Sequence, residues 1–209
     1  MTRRALCVGG SPELHEQLDL AYAAAGVKLR AMLDQEEALD ELQASDDGVD
    51  ILVWAVAEPS EARFGGVTRE QYRGYYARTV HCAFRTIQSA LAGMERRRFG
   101  RVLALTNLSS RLGDEDVLAS MASGAVQVLV KSVAREGARK GVTANALVLG
   151  EVSDWPAATS KIVHPFYEYL FPFREPFKVA DVARAVVELT TSPAGKINGQ
   201  VIHFDGGTL

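Results

Sequence analysis

Few side chains in this sequence have the types and spacing that chemistry needs. Glu151 and Asp154 are close enough in sequence to act as an acid/base pair, provided a dry crevice raises the pKa of one of them. Carboxylates so placed also cap a following helical turn, the plainer use of both. His164, with Tyr167, Glu168 and Tyr169 around it, is the histidine best placed to touch a ligand, and packing is its competing role. His81 stands among Cys82, Phe84 and Ile87 in a helical pattern, His15 falls on the first helix, and His203 sits beside Asp205. These histidines lack metal-ligand spacing and no nucleophile stands beside a base, so neither a metal site nor a catalytic triad is expected. Cys7 and Cys82 lie in apolar runs and read as small core residues of a reducing compartment.

The stretch LCVGGSPELHEQL, residues 6–18, runs from an apolar strand through a glycine turn into a helix. In nucleotide-binding α/β proteins such a turn holds a pyrophosphate on the helix N-terminus. Here Ser11 suits the N-cap, Pro12 the first helical position, and Glu13 places a carboxylate at the positive end of the helix dipole. Two like charges ~4 Å apart near a surface repel by ~4 kcal/mol, nearly a thousandfold in affinity. No compensating cation is evident nearby in the sequence.

The elements that position these residues alternate. Strands are expected at 5–9, 27–32, 50–56, 101–106, 142–148 and 200–204, with helices near 12–25, 35–45, 68–97, 116–139 and 178–191. That order predicts an α/β fold, a doubly wound parallel sheet with helices on both faces. With 209 residues and 47% hydrophobic content, the chain is read as a single domain, 1–209. The segment 150–177 is longer than an ordinary connection, rich in aromatics and proline, and expected to form a lid over the crevice at the strand ends.

A net charge of −3 gives no footprint for nucleic acid or an anionic membrane, and Arg96–Arg98 reads as a solvated helix end. No apolar run approaches the ~20 residues of a membrane span, and the apolar part of MTRRALCVGG is too short for a signal peptide. A cytoplasmic location is the expectation.

Three stretches, GRVLALTNLSSRLG at 100–113, SVAREGARKGVTANALVLG at 132–150 and INGQVIHFDGG at 197–207, resemble the short-chain dehydrogenase/reductase family in order and spacing. The resemblance covers nearly the whole chain and implies a Rossmann-like fold that binds a nicotinamide cofactor. In that family a tyrosine, a lysine one helical turn on, an earlier serine and an asparagine on the long central helix carry proton and hydride transfer. Here the tyrosine position falls on Ser120, the lysine on Gly124, the asparagine on Thr79, and the serine on Asn107 unless a local shift lets Ser109 or Ser110 serve. A serine hydroxyl is far too weak an acid to replace a tyrosine beside a lysine. Losing one such group costs ~10²–10⁴ in rate.

The family's glycine loop keeps only Gly9 here, with Glu13 and His15 at the later glycine positions. Its Asn-Asn-Ala-Gly turn becomes Trp54-Ala55-Val56-Ala57, which sets an indole beside the space that nicotinamide and ribose would fill. Between residue 32 and VDILV at 49–53 there is room for one helix where the family has helix, strand and helix. That loss removes a sheet edge supporting adenosine, and Asp34 is the only selector left near it.

The resemblance therefore implies no catalytic residue and no cofactor on this chain, with NAD on an active paralogous partner in a hetero-oligomer, expected to be a heterotetramer. The helix at 116–139 keeps a small-residue stripe (Ala119, Ala122, Gly124) and an apolar stripe (Val128, Leu129), surfaces the family uses for association. Tyr72 with Tyr75 or Tyr76 is a further candidate contact. The alternatives are a cyclase, isomerase or dehydratase drawing on Glu151, Asp154 or His164 as a possible pocket, and a ligand-binding sensor.

Overall fold

The computed structural model describes residues 2–44, 48–55, 59–60, 62–112, 116–155, 172, 176–192 and 196–208. Its strands are β1 (Arg3–Val8), β2 (Val27–Met32), β3 (Ile51–Trp54), β4 (Gly100–Asn107), β5 (Val142–Leu149) and β6 (Val201–Phe204). They form one six-stranded sheet in the order β2-β1-β3-β4-β5-β6, every pair parallel. The helices are α1 (Pro12–Ala24), α2 (Gln35–Ala44), α3 (Arg69–Tyr76), α4 (Cys82–Arg97), α5 (Ser109–Leu112), α6 (Val117–Gly137) and α7 (Val179–Thr191).

A parallel strand covered on both faces needs apolar side chains on both, so it loses the alternation of a half-exposed strand. All four residues of β3 and all eight of β5 are buried. Cys7, Val53, Leu105 and Leu147 face α1 and α7 on one side. Leu6, Trp54, Val102 and Ala144 face α2, α4 and α6 on the other. The first layer is tied by Tyr22 of α1, whose hydroxyl lies 2.9 Å from Thr190 Oγ1 of α7. Thr190 spends its own proton on the Val186 carbonyl, so Tyr22 is the donor.

Only α2 lies between β2 and β3, which leaves β2 at the edge with three of its six residues half-buried and two exposed. The chain builds β1, then β2 to one side, then crosses back to lay β3 on the other. The sheet direction therefore reverses between β1 and β3, and in open α/β sheets ligands bind at the carboxyl ends of such a pair.

The long helix expected at 68–97 is interrupted by a π turn at Ala77–His81. Within it Thr79 Oγ1 donates to the Tyr75 carbonyl at 2.7 Å. The four-residue α5 has no counterpart in the sequence reading. Of the expected lid, the base is described: the Ser153 amide donates to the Phe177 carbonyl at 2.9 Å and the Phe177 amide to Glu151 at 3.0 Å, against β6 where Phe177 meets Phe204. Residues 156–171, with His164, lie outside the described residues.

Candidate functional site

At the carboxyl ends of β1 and β3 opens a cleft of about 1070 Å³, lined by Gly9–Glu13, Leu33, Tyr75, Arg78, Leu118 and Trp155 among others. Gly9 and Gly10 both take positive φ, +77° and +91°, and a Cβ on Gly9 would stand 2.9 Å from the Ala55 carbonyl oxygen. The turn is thus held tight against the end of β3 by its first glycine, as in a nucleotide-binding loop.

The first turn of α1 decides what that loop can hold. Pro12 has no amide hydrogen, the Leu14 amide donates to Ser11 Oγ at 3.3 Å, and the His15 amide to the Ser11 carbonyl at 3.0 Å. The Ser11 hydroxyl and Glu13's own amide bind the Glu13 carboxylate and hold its pKa below the ordinary value. Two donors of this turn, the Leu14 and His15 amides, are thus taken by Ser11. His15 folds back and its Nε2 donates to the Gly9 carbonyl at 2.7 Å. A pyrophosphate there would meet the Glu13 carboxylate and a first turn in which Pro12 has no amide hydrogen and the Leu14 and His15 amides are bonded to Ser11, a poor fit to a dinucleotide.

At the four positions onto which the resemblance carries the family's reacting groups, the side chains bond within the chain or are missing. Ser120 Oγ donates to the Asp116 carbonyl within α6 at 2.9 Å. Gly124, one turn on, presents empty space within 4 Å of where a Cβ would be. Asn107 at the end of β4 accepts from the Ser109 amide at 2.6 Å, while Ser110 accepts from Gln127 Nε2 at 2.8 Å and donates to the Asn107 carbonyl. Thr79 is buried with its hydroxyl committed to Tyr75.

Several expectations need correction. Trp54 is not beside the cleft: it is 1% exposed and packs with Ala83 and Ile87 beneath α4, because its side chain leaves the opposite face of β3 from Val53 and Ala55. The indole that lines the cleft is Trp155. Glu151 and Asp154 do not form an acid/base pair there; Asp154 Oδ1 accepts from the Val179 amide at 2.7 Å and caps α7. Neither carboxylate lines the cleft. A cation that the sequence reading missed, Arg78, does line it.

Beside Arg78 lies a buried polar cluster. Asp116 caps α6 through the Ala119 amide at 3.1 Å and accepts from the Ser60 amide at 2.6 Å and the Ser60 hydroxyl. Burial, then Asp116, push the Tyr75 hydroxyl well above its usual pKa, against a smaller opposing pull from Arg78. Tyr75 is therefore neutral and able to donate, and unable to act as a phenolate base. On the outer side of α3, Tyr72 stacks on Tyr76 with centroids 4.7 Å apart, while Tyr75 turns inward.

Residues 13–208 match the family model described as enoyl-(acyl carrier protein) reductase. The chain belongs to the short-chain dehydrogenase/reductase family. It is 28% identical over 237 residues to the acetoacetyl-CoA reductase of Rhizobium meliloti (strain 1021), covering 99% of this chain and 98% of that relative. It is 26% identical over 175 residues to the 3-oxoacyl-[acyl-carrier-protein] reductase MabA of Mycobacterium avium, covering 82% of this chain and 68% of that relative. An oxidoreductase of the family from Burkholderia thailandensis superposes with a TM-score of 0.85 at 23% identity, over 100% of this chain and 93% of that one. A structure of ElxO with NADPH bound gives 0.83 at 17% identity, over 100% and 99%. At such identities the likeness establishes the fold.

Proposed function

We propose that this chain is a non-catalytic subunit of an oxidoreductase complex, assembled with an active member of the same family that carries NAD. The reading is carried by the pair Ser120 and Gly124 on α6, the positions onto which the resemblance carries the family's tyrosine and lysine, where the chain offers a hydroxyl bonded within its own helix and no side chain. A self-capped α1 supports the same reading from the cofactor side.

Association is supported by α4 and α6. Phe84, Met121 and Val128 are 46%, 45% and 62% exposed, a concentration of apolar surface on neighbouring helices. A window of α6 is long and apolar enough to cross a membrane by composition, yet 44% of it is buried, with Val126 and Val130 packed on the sheet. A helix so anchored serves better as a flank for another protein than as a span. The acyl-CoA and acyl-carrier-protein relatives favour a hydroxyacyl or oxoacyl thioester as the complex's substrate. The pattern resembles the inactive subunit of the two-subunit 2-[hydroxy(phenyl)methyl]succinyl-CoA dehydrogenase of anaerobic toluene breakdown, and that assignment is the specific form of the proposal.

Native mass spectrometry of the protein drawn from its source cells tests it. A second chain of similar mass in stoichiometric amount, with NAD-dependent activity in the complex, is the expected result. A monomer or homo-oligomer that reduces an oxoacyl substrate unaided would overturn it.

A further inference from the structure

We propose that the end of the molecule opposite the cleft, at the amino ends of the strands, is a docking surface for an acidic segment of a partner protein, seated on Arg3, Arg98, Arg101 and Arg139. The inference stands on this surface alone and holds whether or not the chain is catalytic.

Every strand pair is parallel, so the starts of β1 and β4 come together with the end of α4 and the turn Ala138–Lys140 that follows α6. Arg3 of β1 and Arg101 of β4 share the ring of Phe99. Each guanidinium carbon stands 4.4 Å from the ring centroid, so the two charges are no more than twice that distance apart. Arg101 Nη1 donates to the Gly100 and Gly141 carbonyls at 2.8 and 3.2 Å, and Arg98 Nη2 to the Arg139 carbonyl at 3.2 Å, which ties the four residues into one patch. Among the described residues none of the four pairs with a carboxylate, whereas Arg97 pairs with Asp50 and Lys140 with Glu95.

Basic side chains at helix carboxyl ends ordinarily answer the negative end of the helix dipole, which accounts for Arg96–Arg98, Arg139 and Lys140. Arg3 and Arg101 open strands and have no such reason to be there. Burial, then Arg3, hold the Arg101 guanidinium below its ordinary pKa, and it remains charged. The chain thus keeps a half-buried cation beside a second cation, with no carboxylate among the described residues to offset either. Guanidinium forks match carboxylates bidentately, so an acidic side chain arriving from outside supplies what this pair lacks. The charge balance is equally one-sided. Residues 3–4, 46–50, 95–101 and 139–140 carry eight basic and four acidic side chains, even with Asp46 and Asp47, outside the described residues, counted among the acids. These segments are therefore +4 on a chain of net −3, and the remainder carries −7. A long polyanion such as nucleic acid would run off the patch onto that acidic remainder, while a short run of carboxylates seats within it.

The test measures fluorescence anisotropy of a labelled peptide of about six glutamates, titrated with the purified full chain at about 20 mM salt, beside a DNA strand of about twenty nucleotides. Saturable peptide binding that is lost at about 200 mM salt is expected, with the DNA weaker. R3Q/R101Q should weaken the peptide at least about tenfold, and R3K/R101K should retain most of the affinity. K131Q/R69Q, which removes the same charge from exposed positions elsewhere, should change it less than about twofold. Melting temperatures are read alongside, and R98Q/R139Q, on exposed side chains, probes the same patch should R3Q/R101Q melt early. Absence of saturable peptide binding, an equal loss in K131Q/R69Q, tighter binding of the DNA, or displacement of the peptide by about 5 mM inorganic phosphate at constant ionic strength would each overturn the proposal.

Discussion

The Ser11 hydroxyl accepts from the Leu14 amide at 3.3 Å at the N-terminus of α1, and its proximity to Glu13 is the first cause that holds that carboxyl below its ordinary range. One serine thereby closes the N-terminus of α1 and holds an anion where a pyrophosphate would sit. The Glu13 pKa is depressed, so its contribution to stability is present above the ordinary carboxyl value of about 4.5 and is lost as the pH falls through the lower folded value. E13Q should accordingly melt below the unmodified chain near about pH 7 and converge with it in acid, by thermal melts across that range. Parallel curves at all pH values would show that the carboxylate does not serve the helix.

Asp154 Oδ1 accepts from the Val179 amide at the start of α7. D154A should lower unfolding stability by about 1 kcal/mol through loss of the bond to the Val179 amide, measured by urea denaturation. Unchanged stability would return Asp154 to the list of groups available for catalysis.

Restoring the family's side chains should not restore its reaction. S120Y/G124K fills both positions that the resemblance assigns on α6, but the α1 terminus still carries Glu13 and bonds its Leu14 and His15 amides to Ser11. Hydride transfer from NADH to acetoacetyl-CoA by the double variant should stay at background, followed by absorbance of the reduced cofactor.

Val128 is 62% exposed on α6, so V128D should shift the isolated chain's stability by no more than about 0.5 kcal/mol. If α6 flanks a partner, the same change should release the second chain in native mass spectrometry. Retention of an intact complex would move the interface elsewhere.

The sheet was legible in the sequence because strand and helix periods alternate cleanly, and the single helix between β2 and β3 was visible from length alone. The facing of Trp54 was not. In VDILVW both faces of the strand are apolar, so a period of two carries no information about which face meets the cleft. Arg78 was available to a closer reading: Gln71, Gly74, Tyr75 and Arg78 recur at helical spacing, a face that all lines the cleft. Trp155 sits in a segment without periodicity, where nothing local sets its direction. Asp154 needed the tertiary fold, since the helix it caps begins 25 residues later.

Calorimetric titration of the purified chain with NADH and with NADPH tests the central claim most directly. No saturable heat is predicted at concentrations that fill ordinary dehydrogenases, because the α1 turn carries the Glu13 carboxylate and bonds its Leu14 and His15 amides to Ser11. Saturable binding of either nucleotide with one site per chain, lost when Gly9 is replaced by valine, would contradict it.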